Sequence, residues 1–409
     1  MKIIFKLFLS AILLSCTVLT TQAAVDSQAT EATVLRVQGS ATVMLPGATD
    51  SIPLTVGMKL PTGATIKTGA GSEVDLRPFA GGMTAVKPNT TVDLEELSVN
   101  KGRSGNITKQ TAKLNLRSGN LISTLDPARK AINNYGIRTP KGVAAARGTV
   151  YAVSVTQTGS TVATLTGTVT LTPILPGGGF GTPIVVNLGT GMVISGVSGA
   201  SESTPVSLAS LIAAEAQPGG NTGEGSMTEA ISQAVTTVSA AVASGDSSAV
   251  GGNGSTAASV LAAVVNVASS ANPTQASTFA TQAVTAVSSP TSGISAAAKA
   301  TAAAAITEAA VQGAVKTTVA NGGDASAVST ITNAIASSAV TAATASGTNT
   351  SGIVTAAARG AVTSTAGTSV TAPTTVTTNG TTTNVSTITT TTPSTPVTPP
   401  DTSLISPSG

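Results

Sequence analysis

The chain contains no histidine, no tryptophan and a single cysteine, Cys16, among its 409 residues. Without an imidazole it cannot assemble a Ser-His-Asp or Cys-His nucleophilic centre, histidine acid/base catalysis or a Cys/His zinc site. A lone cysteine also closes no internal disulfide, although an oxidising compartment would permit one. Aromatic residues make up 2% and charged residues 9% of the chain, both far below the usual soluble composition. The acidic residues Asp75, Asp93, Glu95 and Glu96 lack the dense alternating spacing of a calcium loop and read as a solvated face. Nothing places two carboxylates at a glycosidase separation. No Gly-x-Ser-x-Gly elbow falls in a convincing strand-to-helix context. Gly69-Ala70-Gly71 and the glycines at 177–179 lack the lysine and helix start of a phosphate loop. The expectation is a protein with no catalytic site, no cofactor and no metal.

What is present begins with an export pattern. Lys2 and Lys6 precede an apolar run from Leu7 to Leu19, and Thr21-Gln22-Ala23 supplies small residues for cleavage, so residues 1–23 read as a signal peptide. Leu13-Leu14-Ser15-Cys16 offers the alternative of a lipobox with a lipidated Cys16. The run is shorter than the ~20 residues that span a bilayer, and later Ala-rich runs are interrupted by Ser, Thr and Gly. No transmembrane segment is expected after signal removal. The protein is expected in the periplasm or outside the cell.

The formal charge of +3 is unevenly divided. Residues 24–200 carry 15 basic and nine acidic side chains, whereas residues 201–409 carry three basic and eight acidic ones. The basic excess could attract an acidic or phosphorylated polymer, but it reads first as a solvated β surface. Its scatter, with no aromatic platform, excludes a nucleic-acid site.

From Thr33 to about Ser195, short Val/Ile/Leu/Thr segments alternate with Gly, Pro and Asn, after a lead-in over residues 24–32. This pattern predicts a mainly β domain, as a short-strand roll, sandwich or solenoid-like stack. Its most informative stretch runs from Ile137 to Leu171. Pro140 and Gly142, following Thr139, suit a type I turn that reverses the chain. From Thr149, Tyr151, Val153 and Val155 share one face, and Leu165, Val169 and Leu171 are expected to share the face of a returning strand. Arg147-Gly148-Thr149 leads into the first of these strands. The Arg147 guanidinium is expected to tie strand to turn, rather than bind an anion, and Arg138 is read in the same way.

These motifs resemble the carboxyl-terminal half of the FecR domain, an extracytoplasmic β module first associated with regulation of ferric-siderophore uptake. Upstream, Leu54, Gly57, Leu60, Gly63, Ile66 and Thr68 are similar to the family's entry motif, and Ser72 to Leu76 to its next strand. Pro88-Asn89-Thr90 with Val92 and Leu94, then Leu114, Leu116, Gly119 and Leu121, follow in family order. The resemblance implies a FecR-like domain over residues 31–196. Thr139, Pro140, Gly142, Arg147, Gly148 and Thr149 are its signature positions, with structural roles. Regulatory members of that family carry an anti-sigma region and a membrane span before this domain. Here a signal peptide is expected in their place, and no counterpart of the family's receptor-contacting carboxyl-terminal region is found.

Residues 201–370 change to Ala, Thr, Ser, Val and Gly with helical periodicity. Met227, Ile231, Ala234, Val235, Val238 and Val242 form one stripe, and the spacing recurs at Ile306, Ala310, Ala314 and at Val328, Ile331, Ile335. Thr228-Glu229-Ala230 and Gly245 to Val250 reappear near Thr307 and Gly323, which suggests two copies of a three-helix unit. With Phe279 as its only aromatic, this region should form marginal helices, ordered by neighbours or by self-association. Residues 371–409, rich in Thr and Pro, read as a disordered tail.

Two functions fit. One is an exported non-enzymatic binding or sensing module for a protein or envelope component. The other is a secreted structural or surface-matrix protein that self-assembles through its helices.

Overall fold

The computed structural model describes residues 26–157, 159–195, 204–217, 226–245 and 254–386. The expected signal peptide and lipobox therefore lie outside the described residues.

Two β-sheets face one another and share a single long strand, β10 (Ile107–Leu125). In the first half of β10, Gln110–Asn115 pair with β11 (Asn133–Arg138), and β9 (Thr91–Lys101) lies on the other side. In its second half, Gly119–Leu125 pair with β8 (Gly82–Val86) and β13 (Val150–Val155). Irregular register at Leu116/Ser118 marks the transfer.

Sheet A continues from β9 through β6 (Thr65–Thr68) and β3 (Ala41–Met44) to β4 (Ser51–Pro53). In the other direction it runs from β11 through β12 (Gly142–Ala146) and β15 (Thr168–Pro173) to β16 (Ile184–Asn187). Sheet B runs from β8 through β7 (Glu73–Arg77) and β2 (Ala32–Gln38) to β5 (Lys59–Leu60). Beyond β13 lie β14 (Gly159–Thr164), β17 (Thr190–Ser195) and β18 (Val206–Ser207). Successive segments alternate between the sheets, so the domain is a two-layer stack, as the spacing of strands predicts. No ladder among the described residues closes it into a barrel. The expected lead-in is itself a strand, β1 (Asp26–Ala29), paired with the end of β9.

Between the sheets lies one core. Val34, Val74, Leu76, Leu121, Tyr151 and Val153 enter it from sheet B, and Val43, Ile66, Leu94, Leu114, Tyr135 and Val169 from sheet A. Phe79, Tyr135 and Tyr151 meet edge to face at centroid distances of 6.0 and 6.4 Å. The Tyr135 hydroxyl lies 2.6 Å from that of Thr84 and 2.9 Å from that of Ser123. Burial pushes its pKa up to about 12, so it stays neutral.

The returning strand differs from expectation. Gly167, at φ 65°, ends the run after β14. Leu165 stays on the far side of sheet B, while Val169 and Leu171 have crossed to β15 in sheet A. Periodicity alone reads through such a crossing, because the alternation on either side is in phase.

The helices follow as α1 (Leu208–Glu215), α2 (Met227–Ala243), α3 (Gly254–Ala271), α4 (Ala276–Ser288), α5 (Ala296–Ala320), α6 (Ala325–Ala345) and α7 (Ile353–Thr365). Ser226 caps α2 by accepting the Glu229 N–H at 3.1 Å, in the order Ser-x-x-Glu. The Glu215 carboxylate adds acceptors for the N–H groups of Met227 and Thr228 at the positive end of α2. The predicted stripe of α2, from Met227 to Val242, is buried throughout.

Each helix packs against the next and the next but one. One row therefore holds α2, α4 and α6, and the other α1, α3, α5 and α7. The recurring step is two helices, rather than the expected three-helix unit. The Thr-Glu-Ala match joins helices of opposite rows, and residues 246–250 of the other match lie outside the described residues. The second row shows the step at atomic detail. A side chain at Gly313 of α5 would come within 2.1 Å of the Asn266 carbonyl of α3. One turn later the Thr317 hydroxyl donates to the Ser270 carbonyl at 2.7 Å. A side chain at Gly360 of α7 would come within 2.7 Å of the Glu308 carbonyl of α5, and Ser364 donates to the Gln312 carbonyl at 3.1 Å. Small residues let the backbones approach, and hydroxyls then bond across the contact.

The two halves of the chain share a core. Ala85, Ile122, Val150, Ala152, Ala163 and Leu165, on the outer face of sheet B, join one apolar cluster with Met227, Ile231, Val235 and Val238 of α2. The helices are thus ordered by a β-sheet as well as by one another. Helix α3 is long and apolar enough to cross a membrane by length and composition, but 50% of that window is buried inside the protein. The expected tail is also shorter. β19 (Thr375–Thr378) and β20 (Thr381–Asn384) form a hairpin turning at Asn379-Gly380, which packs Val376 against α6. Residues 387–409 lie outside the described residues.

Candidate functional site

Helix α2 packs on the outer face of sheet B around β10, β13 and β14, whereas the outer face of sheet A is a large β surface left open. Its side chains are those that alternate with the core residues. They include Asp93 and Glu95 of β9, Lys113, Asn115 and Arg117 of β10, Arg138 of β11, and Val143 and Ala145 of β12, followed by Arg147. Asp93 accepts hydrogen bonds from Arg117 at 2.6 Å, Asn115 at 3.1 Å and the Thr65 hydroxyl at 2.8 Å. Lys113 meets Glu96 at 2.6 Å, and Arg138 stands 4.0 Å from Glu95. The Lys113 hydrogen bond outweighs partial burial and holds the Glu96 carboxyl below its ordinary range. The Lys113–Glu96 and Arg138–Glu95 pairs are largely exposed, so they contribute little to stability and mainly set the pattern of charge, whereas the Asp93 carboxylate is buried beneath an exposed Arg117.

Asp75 belongs elsewhere, in a buried network across sheet B. Arg36 reaches Asp75 at 2.6 Å and also bonds Glu73, whose other oxygen takes Lys87 at 2.6 Å. The Lys87 side chain is 4% exposed. Burial pushes the Asp75 carboxyl above its ordinary range, against the pull of Arg36. Burial likewise opposes the Arg36 charge, but its two carboxylate partners outweigh that and raise its pKa. The four acidic residues are therefore divided between the two sheets, Asp75 apart from Asp93, Glu95 and Glu96. Among the described residues no group of three or more metal-binding side chains occurs.

The signature positions build two reversals of the chain. At the first, β11 turns into β12, with Arg138 opposite Val143. The closure is not the expected type I bond. The Thr139 N–H donates to the Gly142 carbonyl at 2.8 Å, and the Thr139 hydroxyl accepts the Gly142 N–H at 3.1 Å. Pro140, which has no N–H to satisfy, occupies the bend between them. The second reversal carries the chain from β12 in sheet A to β13 in sheet B. Gly148 has φ 128°, and a side chain there would lie 2.8 Å from the Pro127 backbone. Thr149 is buried, and its carbonyl accepts the Leu125 N–H at 2.9 Å. Arg147 does not tie strand to turn. It is exposed and makes no hydrogen bond or ion pair among the described residues. Arg138 does reach a carboxylate, that of Glu95.

A shallow cleft of about 490 Å³ opens between α4, α5 and α6, lined by Pro273, Ser277, Thr318, Ile331 and Ile335. It holds no ionisable side chain.

Residues 64–170 match the family model described as FecR protein. Two crystal structures of a "putative anti-sigma factor" from Parabacteroides distasonis ATCC 8503, at 2.50 and 1.65 Å, share 12% sequence identity with the chain. Their TM-scores are 0.27 and 0.26, and each alignment covers 35% of this chain and 59% of that one. No curated protein matches. The matched span runs from the strands around Ile66 through both signature reversals to β15, and the layers of sheets A and B around it are the domain's own core. Within the β portion, residues 64–170 are thus similar to the FecR protein family.

Proposed function

We propose that this protein is an exported, non-enzymatic binding or sensing module whose recognition surface is the outer face of sheet A. The observation that supports this reading most is the division of the β domain: the helical stack packs on one outer face, around β10, β13 and β14, and the other face is open. The open face carries paired charges and, beside the second reversal, an arginine with no partner among the described residues. A guanidinium without an internal partner suits a ligand that brings its own carboxylates or phosphates, whether a protein or an envelope polymer.

Co-sedimentation with isolated envelope fractions of the native host tests this. Binding by the wild-type protein that falls at least tenfold in Arg147→Glu, with unchanged circular dichroism, is the expected result. Equal binding by the variant, or none by the wild type, refutes the reading. The surface-matrix alternative needs the helical stack to grow end to end. Its first helices rest on sheet B, and the row of α2, α4 and α6 ends on the β19–β20 hairpin, which favours the binding reading.

A further inference from the structure

The two ends of the sheet stack are built differently. At one end, β4 is three residues long and includes Pro53, and β5 contributes Lys59; short length, proline and lysine are the usual protections of a sheet edge. At the other end stands β16, which pairs with β15 on one side and with no described strand on the other. β16 is likewise short, four residues, and follows Pro183, but no lysine or other charge stands on it. From Gly148 to Ser201 the sequence has no charged residue. Around the open edge, Phe180, Val185 and Leu188 are 65%, 52% and 53% exposed, and Val193 and Val206 of sheet B add exposed apolar surface at the same end.

We propose that this edge pairs with the β16 edge of a second copy of the chain, joining two A sheets antiparallel across a two-fold axis. The absence of charge is what favours the second copy as occupant. In a two-fold contact each side chain meets its own counterpart or a near neighbour, so a charge on the edge would face a like charge. An edge without charge meets itself with no such penalty. Registers centred on Val185 or on Val186 keep every side chain on its own face. A two-fold contact uses the β16 edge of both copies, so the assembly closes as a dimer. The pairing also sets the two open faces of sheet A side by side.

Sedimentation velocity and light scattering on the full chain test the proposal, with Val185→Lys as the variant. The Val185 side chain points to solvent, so the variant keeps its fold, which circular dichroism checks. The expected wild-type mass is twice 39.4 kDa, and the variant is expected at the monomer mass, with at least a tenfold weaker association constant. A wild-type protein that stays monomeric at 100 μM (~the upper range of such measurements) overturns the proposal and leaves the edge to a strand from a different partner. A dimer that Val185→Lys leaves intact overturns it as well.

Discussion

Gly148→Ala is expected to destabilise the protein by about 3 kcal/mol or more, measured as a loss in denaturant unfolding relative to Gly136→Ala. Two costs combine. A φ of 128° is hostile to any side chain, and such conformations cost on the order of 1–3 kcal/mol. The added carbon would also lie 2.8 Å from the Cα of Pro127, and backbone in a helical turn cannot swing aside as a side-chain tip would. Gly136 has an ordinary φ, and its nearest obstacle is a carbonyl at 3.8 Å. If both variants unfold alike, the second signature reversal is not the constrained crossing described.

Gly313→Ala is expected to cost about 4 kcal/mol, against little or nothing for Gly352→Ala. At position 313 the new carbon would lie 2.1 Å from the Asn266 carbonyl and 2.8 Å from the Ser270 N–H nitrogen, both backbone atoms of α3. Relief requires α3 and α5 to separate. Separation would stretch the bond from Thr317 to the Ser270 carbonyl and that from Asn266 to the Ala309 carbonyl, 3.0 Å long. It would also open an Ala/Val core in which each residue contributes little area to compensate. At position 352 the nearest atom is the Ala304 Cβ, at an ordinary 3.6 Å. Urea unfolding followed at 222 nm reads the difference, and equal midpoints would rule out the close crossing.

Much of this architecture is legible in the sequence. The β domain, its order of strands and the buried stripe of α2 follow from alternation and helical period. What was harder to see is where the halves meet, yet a signal exists. β15, Thr-Val-Thr-Leu-Thr-Pro, alternates between exposed and buried because one face meets solvent. β13, Val-Tyr-Ala-Val-Ser-Val, is buried at every position. A strand apolar on both faces needs a cover on each, and here α2 supplies the second. Asn379-Gly380 between Thr/Val segments was likewise a hairpin signal, masked by the low complexity around it. Other features depend on tertiary context that period cannot encode. The crossing at Gly167 looks like strand continuation, and the closure of Thr139 to Gly142 uses a side chain. For the candidate site, the sequence isolates Arg147 but not its exposure, since the same residue type serves equally well as a tie.

The account rests on the two halves forming one folded unit around sheet B. Both tyrosines, Tyr135 and Tyr151, lie in the β domain and the chain has no tryptophan, so near-ultraviolet dichroism in the tyrosine band, to the long-wavelength side of Phe279, reports the β domain alone. Dichroism at 222 nm reports mainly the helices. Thermal unfolding of the full chain followed by both signals is the most direct measurement. Coincident transitions, shifted together by Ala152→Asp at the shared core, are the predicted result. Two separate transitions, with the helical one unmoved by that substitution, would contradict the account.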